Sequence, residues 1–407
     1  MEETIVGIDV GTTKICTLVG EVSGERDLRI VGIGVAPSRG LRKGVLVDIE
    51  EATQAVAVSV EKAEQISGYD IDSAYVSIAG AHISALNSRG VAAISRGVRG
   101  IIQEDIDRAM EAARAVAIPH NRELIHAIPR GYIVDDQDGV RNPLGLQGFR
   151  LEVEAHIVTG ASPCIHNLVQ CVQGAGVRVV DLVLQPIAAG EAVLTSAEKE
   201  LGVVLVDIGG GTTDMAIFID GSVWHTVVLA LGGNHLTHDV AVGLRAPFTV
   251  AEMLKVRYGH TMPDTVGPDE SIDTTCFGDN SHRSVSRRRL AEIISARAEE
   301  MLELILREIK RSGYDGLLPA GVVLCGGTAD LAGIKEFSRE ILGLPVRIGT
   351  PCDVEGLVDT IKDPGYACSV GILLWGRRSA LNGSLDGSLQ GQGVLARLRH
   401  WLGVFTP

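Results

Sequence analysis

Two stretches far apart in the chain share one design. Ile5 to Ile15 reads IVGIDVGTTKI, and Val203 to Asp214 reads VVLVDIGGGTTD. Each is an apolar run, then aspartate, an apolar residue, glycine, two threonines and a further strand-like start. Aligned on the threonine pairs, Asp9, Thr12 and Thr13 answer to Asp207, Thr212 and Thr213, and the second copy carries two extra glycines. Such self-similarity predicts two related halves, because a solenoid would repeat at a far shorter period. An apolar run of four or five residues reads as a buried strand. Glycine directly after it permits a tight turn and a close backbone approach to a ligand. One DxGTT alone is more often an ordinary hairpin turn; two matched copies point to a shared ligand.

The chemistry of that ligand follows from the residue types. Backbone N–H groups and threonine hydroxyls in such turns cradle phosphate oxygens. An aspartate at the strand end repels phosphate unless a hydrated Mg²⁺ lies between them. Asp9 and Asp207 are therefore the expected metal-side residues. Gly11, Thr12, Thr13, Gly209, Gly210, Gly211, Thr212 and Thr213 are the expected phosphate cradle, with Lys14 as a point charge for the β or γ phosphate. One threonine of each pair can equally serve as a strand residue, given its β preference. A third element, Gly321 to Thr328 (GVVLCGGT), reads as strand, Gly-Gly-Thr turn, then helix from Ala329. Gly326, Gly327 and Thr328 there let a flat base or ribose approach the backbone.

Composition excludes other classes. The 407 residues are 45% hydrophobic and 22% charged, as in a folded soluble protein. Asp+Glu 51 against Lys+Arg 37 gives −14, which argues against a nucleic-acid binder held by a basic surface. The start, MEETIVGIDVGTTK, has neither the basic nor the apolar region of a signal peptide. No apolar run is long enough to span a membrane. The seven cysteines form no CxxC pair, so reduced thiols in a cytosolic chain are expected and a zinc site is not.

Between the motifs, Glu104 to Ala117 has one apolar helical face, Arg150 to Val158 reads as an alternating strand, and Arg287 to Lys310 reads as a long helix. Gly259 to Arg283 is polar and turn-rich, and reads as exposed loop with short strands. Residues 379–393 (SALNGSLDGSLQGQG) are rich in glycine and serine and read as a flexible tether. Val394 to Phe405 then places Leu395, Leu398, Trp401, Leu402 and Phe405 at helical spacing, with Arg397 mainly off that stripe. A net-positive amphipathic helix on an acidic protein suits an anionic membrane surface, or else a groove on its own body or a partner.

These three glycine-rich elements, in this order, resemble phosphate loop 1, phosphate loop 2 and the adenosine loop of the actin/Hsp70/sugar-kinase superfamily. Within it the sequence most resembles the FtsA family of bacterial cell-division proteins. Leu201–Asp214 resembles that family's second phosphate loop. Gly232, Gly233, Asn234 and His235, with 239–245 (DVAVGLR) and 251–255 (AEMLK), resemble its loop and helix beside the nucleotide. Residues 106–160 resemble its characteristic insert.

The resemblance implies an α/β, actin-like two-lobed ATPase fold: a duplicated mixed sheet with helices on both faces and an inserted subdomain 1C. Subdomain 1A is then 1–85 plus 164–196, 1C is 86–163, 2A is 197–245 plus 312–378, and 2B is 246–311. Residues 379–393 are the linker and 394–407 the membrane-targeting helix. Glu252 and Lys255 border the adenosine, with Glu292 and Arg297 placed there more loosely. Gln185 holds the position at which superfamily members orient the attacking water. FtsA-like sequences have Glu-Pro there, and an amide is a poor base.

The implied function is an ATP·Mg²⁺-binding scaffold, at most a slow ATPase. It forms actin-like filaments with itself on the cytoplasmic face of the cell membrane at the division site. It tethers FtsZ through the FtsZ C-terminal peptide and recruits later division proteins. The alternatives are an FtsA-like pilus-assembly scaffold and a small-molecule kinase. The kinase needs a carboxylate base facing an acceptor pocket, for which there is no motif.

Overall fold

The computed structural model describes residues 3–385 apart from 24–26, 95–99, 116–117 and 276–281. The chain opens with an antiparallel meander of β1 (Glu3–Val10), β2 (Lys14–Ser23) and β3 (Asp27–Pro37). A small hairpin of β4 (Leu41–Arg42) and β5 (Val45–Leu46) leads to helix α1 (Ile49–Ser67). Asp48 caps that helix by accepting the Glu51 amide, satisfying one of the free N–H groups of its first turn. Strand β6 (Ser73–Ile78) then pairs parallel to β1.

An excursion follows: β7 (Ser84–Ala93), α2 (Gln103–Arg114), β8 (Arg122–Val134), β9 (Gln137–Val140) and β10 (Arg150–Ala161). Its four strands make a separate sheet in the order β7-β10-β8-β9. Helix α3 (Ser162–Gly174) returns the chain to β11 (Arg178–Leu184), parallel to β6, and to α4 (Gln185–Val193).

The second half begins with α5 (Ser196–Leu201) and a second meander, β12 (Val203–Ile208), β13 (Thr213–Ile219) and β14 (Ser222–Leu229). Then come α6 (Gly233–Leu244), α7 (Phe248–Tyr258), a hairpin of β15 (Ser271–Thr275) and β16 (His282–Ser286), and α8 (Arg287–Ser312). Strand β17 (Val322–Cys325) pairs parallel to β12, and α9 (Ile334–Leu342) leads to β18 (Val346–Ile348), parallel to β17. Strand β19 (Glu355–Gly356) joins the first sheet beside β3, followed by α10 (Val358–Ile361) and α11 (Ala367–Leu385).

The duplication is visible in the strand orders, β11-β6-β1-β2-β3-β19 and β14-β13-β12-β17-β18. In each sheet the first meander strand is central. Its two meander partners lie on one side, with β19 beyond them in the first sheet, and two later parallel strands lie on the other. All six residues of β12 are buried, as its unbroken apolar run predicts. Val203 and Leu205 face a core shared with the first sheet, while Val204, Val206 and Ile208 face one built with α6, α7 and α8.

Helices α4 and α11 pack against each other between the sheets, α11 lying on β1 and β2 and α4 on β12 and β13. A methyl added to Gly371 would lie 1.8 Å from the Ala188 carbonyl, so the crossing requires glycine. The insert, though it grows from the first half, also touches the second. Neutral His156 on β10 donates from Nδ1 to Asn87 Oδ1 at 2.7 Å and accepts at Nε2 from the Thr226 hydroxyl on β14 at 2.9 Å.

Several expected boundaries move. The helix expected over 104–117 spans Gln103–Arg114, and the long helix runs on to Ser312. Strand β10 is longer than expected and does not alternate, because residues on both its faces are buried. Helix α2 packs in its core cluster, and the His156–Thr226 contact reaches the second lobe. No helix begins at Ala329: a 3-10 turn spans Gly327–Asp330, and α9 starts at Ile334. Residues 379–385, expected to open the tether, continue α11. A lone glycine such as Gly383 costs a helix only about 1 kcal/mol, too little to stop it. The rest of the tether and the amphipathic segment, with Leu395, Arg397, Leu398, Trp401, Leu402 and Phe405, lie outside the described residues.

Candidate functional site

The two aspartate hairpins face each other across a cleft of about 320 Å³ between the halves. Asp9, Gly11, Thr12, Thr13, Lys14 and Gln185 line it from the first half, and Asp207, Gly209, Gly210 and Thr212 from the second. Gly233, Asn234, Glu252 and Lys255 border one end, with Gly326, Gly327 and Thr328 completing the wall. Three expected members, Gly211, Thr213 and Gly232, do not line it.

Hydrogen bonding shows why. Gly11 N–H donates to Lys14 C=O at 3.1 Å, and Gly209 N–H donates to Thr212 C=O at 3.0 Å. Asp9 pairs across its hairpin with Cys16, and Asp207 with Asp214. The two loops therefore have equal length. Thr12 and Thr13 occupy the positions of Gly210 and Gly211, Lys14 that of Thr212, and Ile15 that of Thr213. The threonine pairs are not equivalent, which corrects the alignment that gave the second copy two extra glycines. Thr213 is a fully buried strand residue, as Ile15 is, and its hydroxyl donates to Leu231 C=O at 2.9 Å. Its hydroxyl is therefore already engaged away from the cleft, which Thr213 does not line.

The glycines have a different task. A methyl on Gly210 would lie 2.0 Å from Thr13 Oγ1, and one on Gly211 would lie 2.6 Å from Thr12 Oγ1. The threonine tip of the first loop packs against the bare backbone of the second. The second loop is clasped from behind by α6, whose Gly233 and Asn234 amides donate to the Gly209 and Gly210 carbonyls at 2.8 Å. Gly232 approaches the Gly209 carbonyl so closely that a methyl there would lie 2.5 Å from it, which makes Gly232 a packing residue. The first loop is strapped by the β4–β5 hairpin, where the Gly44 amide donates to Thr12 Oγ1 at 3.3 Å.

The two aspartates are equally buried, at 8% and 7% exposed, but differently held. Asp9 accepts from Ser77 at 2.8 Å and Gln185 at 3.2 Å on one oxygen, and from Ser369 at 2.9 Å on the other. Among the described residues no hydrogen-bond donor reaches the Asp207 carboxylate. Burial, Asp214 and Asp9 push its pKa well above the usual carboxylate range. Burial also pushes Asp214 up to about 7, and its Oδ1 is buried without a partner. Such a group of carboxylates calls for a proton or a cation.

No group of three or more His, Cys, Asp or Glu side chains among the described residues is arranged to hold a metal directly. The arrangement instead fits a hydrated Mg²⁺, which keeps several waters and takes one or two carboxylates plus phosphate oxygens. Asp9 and Asp207 are the residues that would hold it.

Lys14 Nζ lies 3.3 Å from the centroid of the Tyr366 ring, a cation–π contact at the cleft wall. Lys255 Nζ bonds Glu252 Oε2 at 2.8 Å, Thr237 Oγ1 at 3.0 Å and Gly233 C=O at 3.3 Å. Glu252 and Lys255 are thus fixed against α6. Glu292 and Arg297 are elsewhere: Arg297 pairs with Asp239 and Glu300, and Glu292 with Arg289.

Sequence reasoning missed Asp330, Asp363, Gly365 and Cys368, which also line the cleft. Burial and the neighbouring Asp363 push Asp330 up to about 6. A Gly-Gly-Thr-Ala-Asp turn and an Asp-Pro-Gly turn are visible in the sequence, but no local signal says that the two meet.

Two like-ordered sheets, joined by crossed helices over one glycine-walled cleft and carrying an inserted sheet, define an actin-like two-lobed protein. Solved structures agree on the fold. The PilM–PilN type IV pilus biogenesis complex matches with a TM-score of 0.67 at 16% identity, covering 92% of this chain and 98% of that one. MreB5 of Spiroplasma citri bound to ADP matches with 0.56 at 14%, covering 94% and 98%. The family model "Cell division protein FtsA" matches residues 204–371, and "SHS2 domain inserted in FTSA" matches residues 80–159.

Curated relatives agree over nearly the whole length. Cell division protein FtsA of Pseudomonas aeruginosa is 44% identical over 406 residues, covering 98% of this chain and 97% of that protein. Its namesake in Escherichia coli is 36% identical over 389 residues, covering 94% and 92%. The chain belongs to the FtsA family of cell-division proteins.

Proposed function

We propose that the chain is an ATP·Mg²⁺-dependent scaffold of cell division. In this reading it polymerises into actin-like filaments on the cytoplasmic face of the membrane and is held there by the segment 394–407. It tethers FtsZ through the FtsZ C-terminal peptide gripped on subdomain 2B (246–311), and it recruits later division proteins through subdomain 1C (86–163). The observation that carries the nucleotide part is the pair of opposed loops with Asp9 and Asp207 on one cleft. Two structures of this fold were solved with ADP and AMPPNP. No helix among the described residues is long and apolar enough to cross a membrane. The reading of 394–407 as the anchor is supported by its amphipathic spacing and net positive charge.

Within the cleft, Lys14 and the loop amides bind phosphate oxygens. Asp9 and Asp207 would hold Mg²⁺, which would supply neutralisation of phosphate charge. Glu252 and Lys255 orient the nucleoside end. Hydrolysis is slow, because Gln185 has no basic group to offer an attacking water. ATP serves as an assembly ligand, and polymerisation multiplies weak membrane anchors by avidity.

Sedimentation with anionic liposomes, with and without ATP and the FtsZ C-terminal peptide, tests this reading. Joint pelleting of protein and peptide that requires ATP, and is lost on deleting Val394–Pro407, is the expected result. Undiminished lipid binding by the truncated chain contradicts the anchor. Phosphoryl transfer to a small metabolite contradicts the scaffold.

A further inference from the structure

Gln185 occupies the position where the superfamily resemblance expects a water-orienting group. Its amide is already engaged. Nε2 donates to Asp9 Oδ1 at 3.2 Å and to Ser77 Oγ at 3.3 Å. Ser77 Oγ in turn accepts the Val10 amide at 2.9 Å and donates to Asp9 Oδ1 at 2.8 Å. The second carboxylate oxygen accepts from Ser369 Oγ at 2.9 Å. Every donor in this set is neutral, so the Asp9 side chain is oriented without a countercharge from them. Ser77 and Ser369 are 1% and 0% exposed, so water competes with neither.

The donors come from three different elements. Ser77 is on β6, Gln185 is the first residue of α4, and Ser369 is in the first turn of α11. The two helices are locked by the Ala188–Gly371 crossing, so the donors are fixed relative to one another. We propose that Ser77, Gln185 and Ser369 are positioning residues that fix the Asp9 carboxylate toward the metal side of the cleft. Gln185 thus acts on Asp9 rather than on an attacking water. The inference rests on the nucleotide reading above and adds the means by which one aspartate is held in a fixed orientation. Asp207 has no such support and depends on the cation itself.

The test is fluorescence titration of the full chain with a methylanthraniloyl-labelled AMPPNP, in MgCl₂ and in EDTA. The readout is the ratio of the two affinities. Ser369→Ala and Ser77→Ala each lower that ratio about tenfold, and Ser369→Thr, which keeps the hydroxyl, restores most of it. The shift is the order expected for losing one hydrogen bond to a charged group. A merely structural role lowers the thermal midpoint and both affinities together, leaving the ratio unchanged. An unchanged ratio in both alanine variants overturns the inference while leaving nucleotide binding intact. No binding by the unsubstituted chain overturns the nucleotide reading, and this inference with it.

Discussion

The two loops of the cleft are built on one backbone and solve opposite problems. The first keeps its side chains, Thr12, Thr13 and Lys14, and carries an aspartate held by three neutral donors. The second gives up side chains at Gly210 and Gly211 to make room for those threonines. Its aspartate is left without a donor and lies across the hairpin from a second carboxylate, Asp214. The equivalent of Asp214 in the first loop is Cys16, a thiol that burial pushes up to about 12 and so keeps neutral. A duplicated motif has thus diverged into a half whose aspartate is held by its own neighbours and, in the proposed reading, a half that a ligand would complete. Each places one buried carboxylate on the cleft, but only Asp9 is met by hydrogen-bond donors.

That difference can be broken most forcefully at the aspartates. Asp9→Ala and Asp207→Ala should each weaken Mg²⁺-dependent nucleotide binding about a hundredfold, the loss expected from a charged partner. Their effects on the metal-free protein should diverge. Asp9→Ala strands the buried Ser77 and Ser369 hydroxyls and the half-buried Gln185 amide, and costs about 2–4 kcal/mol of stability. Asp207→Asn removes a buried carboxyl that must take up a proton to be accommodated in the metal-free fold, and raises stability at neutral pH by about 1–2 kcal/mol. Chemical denaturation in EDTA reads both, and a fall of equal size in the two variants would remove the asymmetry.

A smaller contrast lies in the turn glycines. A methyl on Gly11 would lie 2.8 Å from the Lys14 carbonyl, whereas one on Gly209 would lie 3.3 Å from that of Thr212. Gly11→Ala should therefore cost about 1–3 kcal/mol and Gly209→Ala under about 1 kcal/mol. Equal losses in thermal unfolding would mean that the loops do not differ in tightness.

The threonine register gives a third test. Thr213→Val should cost about 1 kcal/mol for its bond to Leu231 and leave nucleotide affinity unchanged. Thr13→Val should lower that affinity severalfold. If both weaken binding alike, the equal-length pairing of the loops is wrong.

The smallest effect at neutral pH lies outside the loops, at the contact of the insert with the second lobe. Burial, together with His225 and Arg130, lowers His156 to about 3 from an ordinary 6.5. Below 6.5 the unfolded chain takes up a proton that the folded one refuses, so this group removes stability as pH falls from about 6.5 toward 3. His156→Gln should flatten that part of the pH–stability curve without changing nucleotide affinity. A curve identical to that of the unsubstituted chain would show that the contact stays neutral for another reason.

The repeat of apolar run, aspartate and glycine made the duplicated fold legible, because a strand buried on both faces and a tight glycine turn each leave a local signature. The buried run of β12 and the long helix α8 were readable for the same reason. The pairing of the two threonine doublets was not. Matching identical letters aligns Thr12 with Thr212, whereas the backbone aligns Thr12 with Gly210, and only hydrogen-bond register distinguishes them. Ser77 and Ser369 left no trace in the sequence, since their role depends on β6 and α11 meeting at Asp9. Asp330 and Asp363 were silent likewise. The length of α11 was misjudged because composition weighs glycine and serine heavily where an established helix tolerates them.

Diffraction from crystals grown with Mn²⁺ and AMPPNP, recorded at the manganese edge, would locate the cation directly. One anomalous peak between the Asp9 and Asp207 carboxylates, with the triphosphate bridging the two loops, is the outcome foreseen here. A peak beside one hairpin alone, or a nucleotide seated outside the space between them, would show that the two halves do not act as a single clamp.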